Sequence, residues 1–453
     1  MKLIFKTLIV SFCVFASVAS LPAQEKNTFS LKGAIDYAIS NNTQVLNATT
    51  NERRAIAQKN EVRGLGLPQL NASFDFKDYI ERPTSILPDF VGGDLSKTIA
   101  VQFGTVYNAT AGLSLSQLLF SGDYIVALQS SATFIELSTQ NILKTETDVA
   151  ETVAKSYYAA LINKERYKLL SENAERLSRI KDDTEKMYNS GFVEKIDLNK
   201  IQVAYNNLVI EKNNLEKLLA LGYAMLKYQM GVPMEEEIIL TDSLSGSMTM
   251  DVSTNTESFT YSNRIEYKML ETQTELSKLN LKRHKYGYLP NLAFYGSLSS
   301  QAQRNEFNFF QSNTDKWYPI ALIGLTMNVN LFDGLQRNYR IQQTQFDVLE
   351  NSRNLENLER GIDLELERVS IMLNNSYSSL QNQKDNMEMA REILEVTSKK
   401  YKAGTSTSMD VINAESALTE AQSNYFNALY NTLIAKIDFD KATGTLINTQ
   451  GLD

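Results

Sequence analysis

Four stretches of the chain alternate apolar and polar residues with a period of two. Leu70, Ala72, Phe74 and Phe76 alternate with Asn71, Ser73 and Asp75. Tyr107, Ala109, Ala111, Leu113 and Leu115 alternate with Asn108, Thr110, Gly112, Ser114 and Ser116. Leu292, Phe294 and Leu298 alternate less cleanly with Ala293, Tyr295 and Ser297, and Leu325, Met327, Val329 and Leu331 alternate with Thr326, Asn328 and Asn330. A period of two predicts strands with one apolar and one polar face, at about 69–77, 104–116, 291–301 and 320–331. A strand of about ten residues crosses a membrane when tilted. A soluble sheet with one wet face would carry the same alternation.

A helical period fills the rest. Six of the seven prolines follow position 60 (Pro68, Pro83, Pro88, Pro233, Pro290 and Pro319), and none falls within 123–187, 196–230, 335–400 or 408–443. Proline costs roughly 3 kcal/mol inside a helix, so these stretches are free to be continuous helices. Leu128, Ile135, Ile142 and Val149 lie seven apart. Val411, Ala414, Leu418, Ala421, Tyr425 and Ala428 step by three and four, as do Leu198, Ile201, Tyr205 and Leu208. That stripe predicts helices packing at a shallow angle. A helix of about 65 residues is about 100 Å long, more than a globular core needs and suited to crossing a gap.

The chain repeats itself. Leu67-Pro68-Gln69-Leu70 returns as Leu289-Pro290-Asn291-Leu292, 222 positions on, and GLSLSQLLFSG at 112–122 returns as GLTMNVNLFDG at 324–334, 212 on. Tyr188, Gly191, Asp197 and Gly231 return as Tyr401, Gly404, Asp410 and Gly444, each 213 on. A period this long is a duplicated half-protein, not a solenoid. The halves read as 24–245 and 246–453, each with one helix, a strand pair and two long helices. Linkers 78–103 and 302–319 join the strand pairs and would face outside; Trp317 and Tyr318 there would sit at a membrane surface or pack a loop.

Lys2, Lys6, the apolar run Leu8–Val18 and the small residues Ala19, Ser20 and Ala23 read as a secretory signal over 1–23. The single cysteine, Cys13, lies inside it behind Phe12, which argues against lipidation. Cleavage would take two lysines and no acid from a net charge of −8, an acidic balance that argues against nucleic acid as a partner. Past the signal no apolar run is long enough for a membrane helix. A barrel stays open, because its alternating strands leave little trace in mean hydropathy. Four strands cannot close a barrel, and an open edge in lipid is prohibitive. If the strands span, three chains and twelve strands follow, with membrane lipid around them.

The LFSG and LFDG segments and the paired Tyr-x-x-Gly-x5-Asp turns at 188–197 and 401–410 are similar to those of TolC-type outer-membrane efflux proteins, and the likeness covers nearly all of the mature chain. It implies a mixed, mostly α fold: a homotrimer with a twelve-stranded β-barrel continued by an antiparallel coiled-coil helical barrel in the periplasm. It also implies an exit duct for efflux or type I secretion. The implied partners are a periplasmic adaptor and an inner-membrane pump of RND or ABC type, with no cofactor. Residue by residue, Tyr188, Gly191, Phe192, Val193, Tyr401, Gly404, Thr405 and Ser406 correspond to the periplasmic tip that meets the adaptor. Asp410 matches a position projecting into the pore at the closed end; it also suits a helix N-cap. Asn413 stands where the family has a second acid, and Ser406 where the prototype has an arginine. Tyr401 and Asp197 match positions that tie neighbouring helices shut.

Catalytic signals are missing. His284, read as a lone exposed residue in Lys282-Arg283-His284-Lys285, is the only histidine, so no His/Cys zinc cluster can be built. No nucleophile elbow accompanies it. Gly64-Leu65-Gly66 follows a helix, the reverse of a phosphate-binding loop. The competing reading is a periplasmic coiled-coil scaffold without a pore, which salt or carbonate would wash from membranes.

Overall fold

The computed structural model describes residues 27–89, 92–244, 259–311 and 316–447; the expected signal segment lies outside them. The chain opens with a short strand β1 (Asn27–Phe29), helix α1 (Leu31–Asn41) and helix α2 (Thr43–Gly64). One helix was expected before the first strand pair. Asn42 divides it: its side chain accepts from the Gln44 amide at 2.7 Å, a cap that starts α2, and its own amide closes α1 on Ala38. Asn42 also donates 2.7 Å to the Gln229 carbonyl, which fixes the break against the far end of a later helix.

Strand β2 (Gln69–Asp78) leads to a hairpin, β3 (Thr84–Asp89) and β4 (Asp94–Gln102), within the stretch read as a bare linker. The β-branched residues Thr98, Ile99 and Val101 give β4 its extended backbone. Pro88 sits where the ladder shifts register. Then come β5 (Tyr107–Phe120), α3 (Gly122–Asn189), α4 (Lys195–Met230) and β6 (Ile238–Leu240), the last pairing in parallel with β1. The second half runs through a 3-10 turn (Tyr261–Asn263), α5 (Ile265–Tyr286), β7 (Asn291–Arg304), β8 (Tyr318–Asn328), α6 (Gln336–Lys402) and α7 (Ser408–Thr443). His284 on α5 is half-buried rather than exposed.

β2, β5, β7 and β8 form one antiparallel sheet in that order, so β2 and β8 are its edges. The register lines Leu70 against Leu115, and Leu113 against Leu298, which in turn faces Ala321. One face is therefore apolar across all four strands. Asn71, Ser114 and Ser297 line up on the other face, where Ile320 and Leu322 of β8 break the polar pattern. β8 ends at Asn328, so Val329 and Leu331 fall beyond the strand in which alternation had put them; β5 starts at Tyr107 and runs on to Phe120.

The two hairpins α3–α4 and α6–α7 are the longest elements, with α3 of 68 residues and α6 of 67, each about 100 Å long. The main apolar core gathers at mid-length, where Ala34, Tyr157, Leu161, Leu226, Met230, Leu429 and Leu433 are buried together. Burying one such large side chain is worth about 1.5–3 kcal/mol. Tyr157 Oη donates 2.9 Å to the Phe29 carbonyl, tying β1 to α3. Lys441 of α7 reaches Asp148 at 2.9 Å and Glu151 at 2.6 Å on α3, joining the two hairpins by charge.

Candidate functional site

The far ends of the two hairpins form the candidate site. Both turns are built alike. Gly191 (φ 80°) and Gly404 (φ 71°) take the left-handed conformation that follows a helix end. Phe192 N donates to the Met187 carbonyl and Thr405 N to the Lys400 carbonyl, both at 2.9 Å, closing matching turns. Phe192 stands out in solvent, Val193 is half-buried, and Tyr188 and Thr405 are exposed.

α7 begins with a capping box. The Asp410 amide donates 3.2 Å to Thr407 Oγ1, and the Thr407 amide donates 2.8 Å to Asp410 Oδ2. Thr407 is thus the N-cap, and Asp410, weighed as a cap itself, is its reciprocal partner three residues on. Asp410 Oδ2 also accepts from Thr407 Oγ1 at 2.7 Å and Ser406 Oγ at 3.0 Å. The Thr407 amide and hydroxyl, with Ser406, hold the Asp410 carboxyl below its ordinary range. Asn413, one turn along, is exposed.

Two contacts join the hairpins here. Tyr401 of α6 is buried, and its hydroxyl lies 2.8 Å from Thr184 Oγ1 on α3. Ser408 Oγ of α7 donates 2.7 Å to Asp197 Oδ1 on α4. Tyr401 and Asp197, singled out in the sequence, each have a partner the sequence reading missed. Further up, Arg176 of α3 holds both oxygens of Glu415 on α7, at 3.1 and 2.7 Å. Between α4 and α7 runs a cleft of about 820 Å³, lined by Leu177, Ile196, Lys200, Val203, Met409 and Glu420. An apolar wall with a few charged residues suits a docked helix better than a small polar substrate.

The profile described as "Outer membrane efflux protein" matches residues 34–228 and 269–445. The chain belongs to the outer membrane efflux protein family. It is 21% identical over 354 residues to the outer membrane protein TolC of Vibrio cholerae, across 76% of this chain and 78% of that protein. It is 21% identical over 345 residues to the proteases secretion protein PrtF of Dickeya chrysanthemi, across 75% and 73%. Its fold is similar to the outer membrane protein VceC of Vibrio cholerae, with a TM-score of 0.69 at 13% identity over 91% of this chain and 96% of that one. The CmeC outer membrane channel of Campylobacter jejuni gives 0.71 at 15% identity over 91% and 85%. This family member is an outer-membrane exit duct for efflux or type I secretion, with a periplasmic helical part, and is a transport channel rather than an enzyme.

Proposed function

We propose that three copies close a twelve-stranded barrel, four strands from each, and that α3, α4, α6 and α7 continue it as a periplasmic tunnel. The sheet carries this reading. Leu70, Phe74, Leu298, Ile323 and Leu325 are exposed on one continuous face, and β2 and β8 leave backbone groups unpaired at both edges. In water such a face is an aggregation hazard. In lipid the face is satisfied and the open edges are not. Pairing β8 of one copy with β2 of the next removes every edge. No helix among the described residues is long and apolar enough to cross a membrane, which leaves spanning to the sheet.

The tip is the docking end. Tyr188, Gly191, Phe192, Val193, Tyr401, Gly404, Thr405 and Ser406, with the cleft between α4 and α7, meet a periplasmic adaptor that an inner-membrane pump of RND or ABC type holds in place. Exposed Phe192 and the apolar cleft support that role. Asp197, Asp410 and Asn413 form the gate, with Asn413 standing where a fuller gate has a second acid beside Asp410. The adaptor opens it only as far as it binds the open form more tightly than the closed one. Carbonate washing and planar-bilayer recording test the proposal together. A channel stays in the membrane pellet and gives stepwise ion conductance after detergent extraction. Release by carbonate, with no conductance steps, points to a scaffold instead.

A further inference from the structure

The sheet has a helical end and a free end. β2 follows α2, β5 precedes α3, β7 follows α5 and β8 precedes α6, all at the same end. The helical part is periplasmic, so the free end is the outer one. There the register sets Phe76, Ala109 and Ala302 in one row and Asp78, Tyr107 and Arg304 in the next. Alternate residues of a strand share a face, so both rows lie on the face of Leu70, Phe74 and Leu298. Leu298 is exposed there, yet Ala109 and Ala302 are only 1% and 0% exposed.

The turn that follows β7 folds back onto this face. Between ring centres, Phe307 lies 5.9 Å from Phe76 and 5.7 Å from Tyr107, and Phe309 lies 5.6 Å from Phe76. Arg304, itself buried, fastens the turn: Nη1 donates 2.5 Å to the Asn308 carbonyl and 2.9 Å to Asn308 Oδ1. Its guanidinium stands 4.8 Å from the centre of the Phe309 ring. Trp317, just before β8, is 6.5 Å from Phe309. Phe310 packs on Phe307 and is still 90% exposed. Across the exit, these rings would face the water of the pore. On the wall, they extend its apolar face to the depth at which aromatic side chains settle, between hydrocarbon and headgroups.

We propose that residues 304–311, with Trp317, anchor the channel in the outer leaflet, an inference that rests on the spanning sheet proposed above. The turn lies on the lipid side of the wall and is no lid over the exit. Phe307 and Phe310 enter the membrane at headgroup depth, and Arg304 holds the turn down. The occupant is the lipid surface itself, because the patch continues the apolar face that meets hydrocarbon. The two halves of the repeat thus differ at their outer ends: the first bears the β3–β4 hairpin, the second this anchor.

Trp317 is the only tryptophan, so the intrinsic fluorescence of the full chain reports on this turn alone. The protein is reconstituted in phospholipid vesicles whose acyl chains carry bromine either near the headgroup or near the methyl end. Shallow bromine should roughly halve the Trp317 emission, deep bromine should quench it less, and aqueous acrylamide should quench it weakly. Trp317→Phe with Ile323→Trp moves the reporter to the apolar face nearer the middle of β8, where deep bromine should quench it more than it quenches Trp317. Quenching of the Ile323→Trp reporter by lipid, with Trp317 quenched by acrylamide alone, overturns the anchor and leaves the spanning sheet standing. Lipid quenching at neither position overturns the sheet and the anchor with it. Arg304→Ala should release the turn, so that lipid quenching of Trp317 falls and acrylamide quenching rises. Unchanged quenching in that variant overturns the part given to Arg304.

Discussion

Replacing Arg176 with alanine should loosen α7 from α3 over the lower half of the hairpin seam. Glu415 is only 5% exposed at its side chain, and Arg176 grips it with two nitrogens, at 3.1 and 2.7 Å. Arg176 also donates 2.6 Å to Asn173 Oδ1, whose amide donates 2.6 Å to Gln422 Oε1. Removing one partner leaves a buried carboxylate without its cation, at a cost of about 3–5 kcal/mol. Arg176 itself is 31% exposed, so water reaches the vacated side and the lower end, about 3 kcal/mol, applies. Since about 1.4 kcal/mol is tenfold, α7 should open locally roughly a hundredfold more often. Hydrogen exchange of the α7 amides at 414–418 in the detergent-solubilised protein reads this directly. Replacing the pair with apolar residues, Arg176→Met with Glu415→Leu, should recover most of the protection, because a packed apolar pair is commonly as stable as a buried ion pair. A loss below about 1 kcal/mol in the single variant, or an equal loss in the double, would refute the reasoning.

Gly404→Ala should cost about 1–2 kcal/mol from its left-handed backbone alone, since a Cβ there meets nothing within 4 Å. Gly231→Ala should cost clearly more, because its Cβ would lie 2.8 Å from the Asn41 carbonyl; comparing the two thermal midpoints checks the order. Burial pushes Asp148 and Glu151 upward, but hydrogen bonds and charge from Lys144, Lys155 and Lys441 outweigh it and hold both below their ordinary values of 3.8 and 4.5. Folding is thus favoured by their ionised forms; that contribution is complete above the ordinary values and is lost as pH falls through the depressed ones. Lys441→Met should shrink the drop in thermal midpoint on acidification below pH 4, and an unchanged drop removes the network from acid stability. Ile323→Arg, on the apolar face and 81% exposed in a single chain, should cost about 2–4 kcal/mol of barrel stability if it lies near the bilayer midplane. Ser297→Arg on the opposite face should be tolerated, and outer-membrane yield compares the two.

The long helices were legible almost to the residue. Proline-free stretches set their extent and a glycine follows each of their four C-terminal ends closely: Gly191, Gly231, Gly404 and Gly444. The strands were less so. Alternation ran on through Val329 and Leu331 because period two does not mark where pairing stops, and β7 offers no partner to β8 beyond Asn328. The β3–β4 hairpin hid in a segment whose prolines and glycines looked like loop. The break at Asn42 needed the tertiary bond to Gln229 to show which way the residue acts. At the tip, the turn glycines and the Thr407-x-x-Asp410 box are local patterns and were open to reading. Thr184 and Ser408 were not, because each meets its partner from more than two hundred positions away, and a buried threonine hydroxyl announces nothing in its own neighbourhood.

The mass of the detergent-solubilised particle, protein counted apart from detergent by light scattering, weighs the central claim most directly. A sheet with a greasy face and two bare edges demands three chains per particle, and that stoichiometry is the expected reading. A stable particle of one chain, still folded and rich in strand, would contradict it.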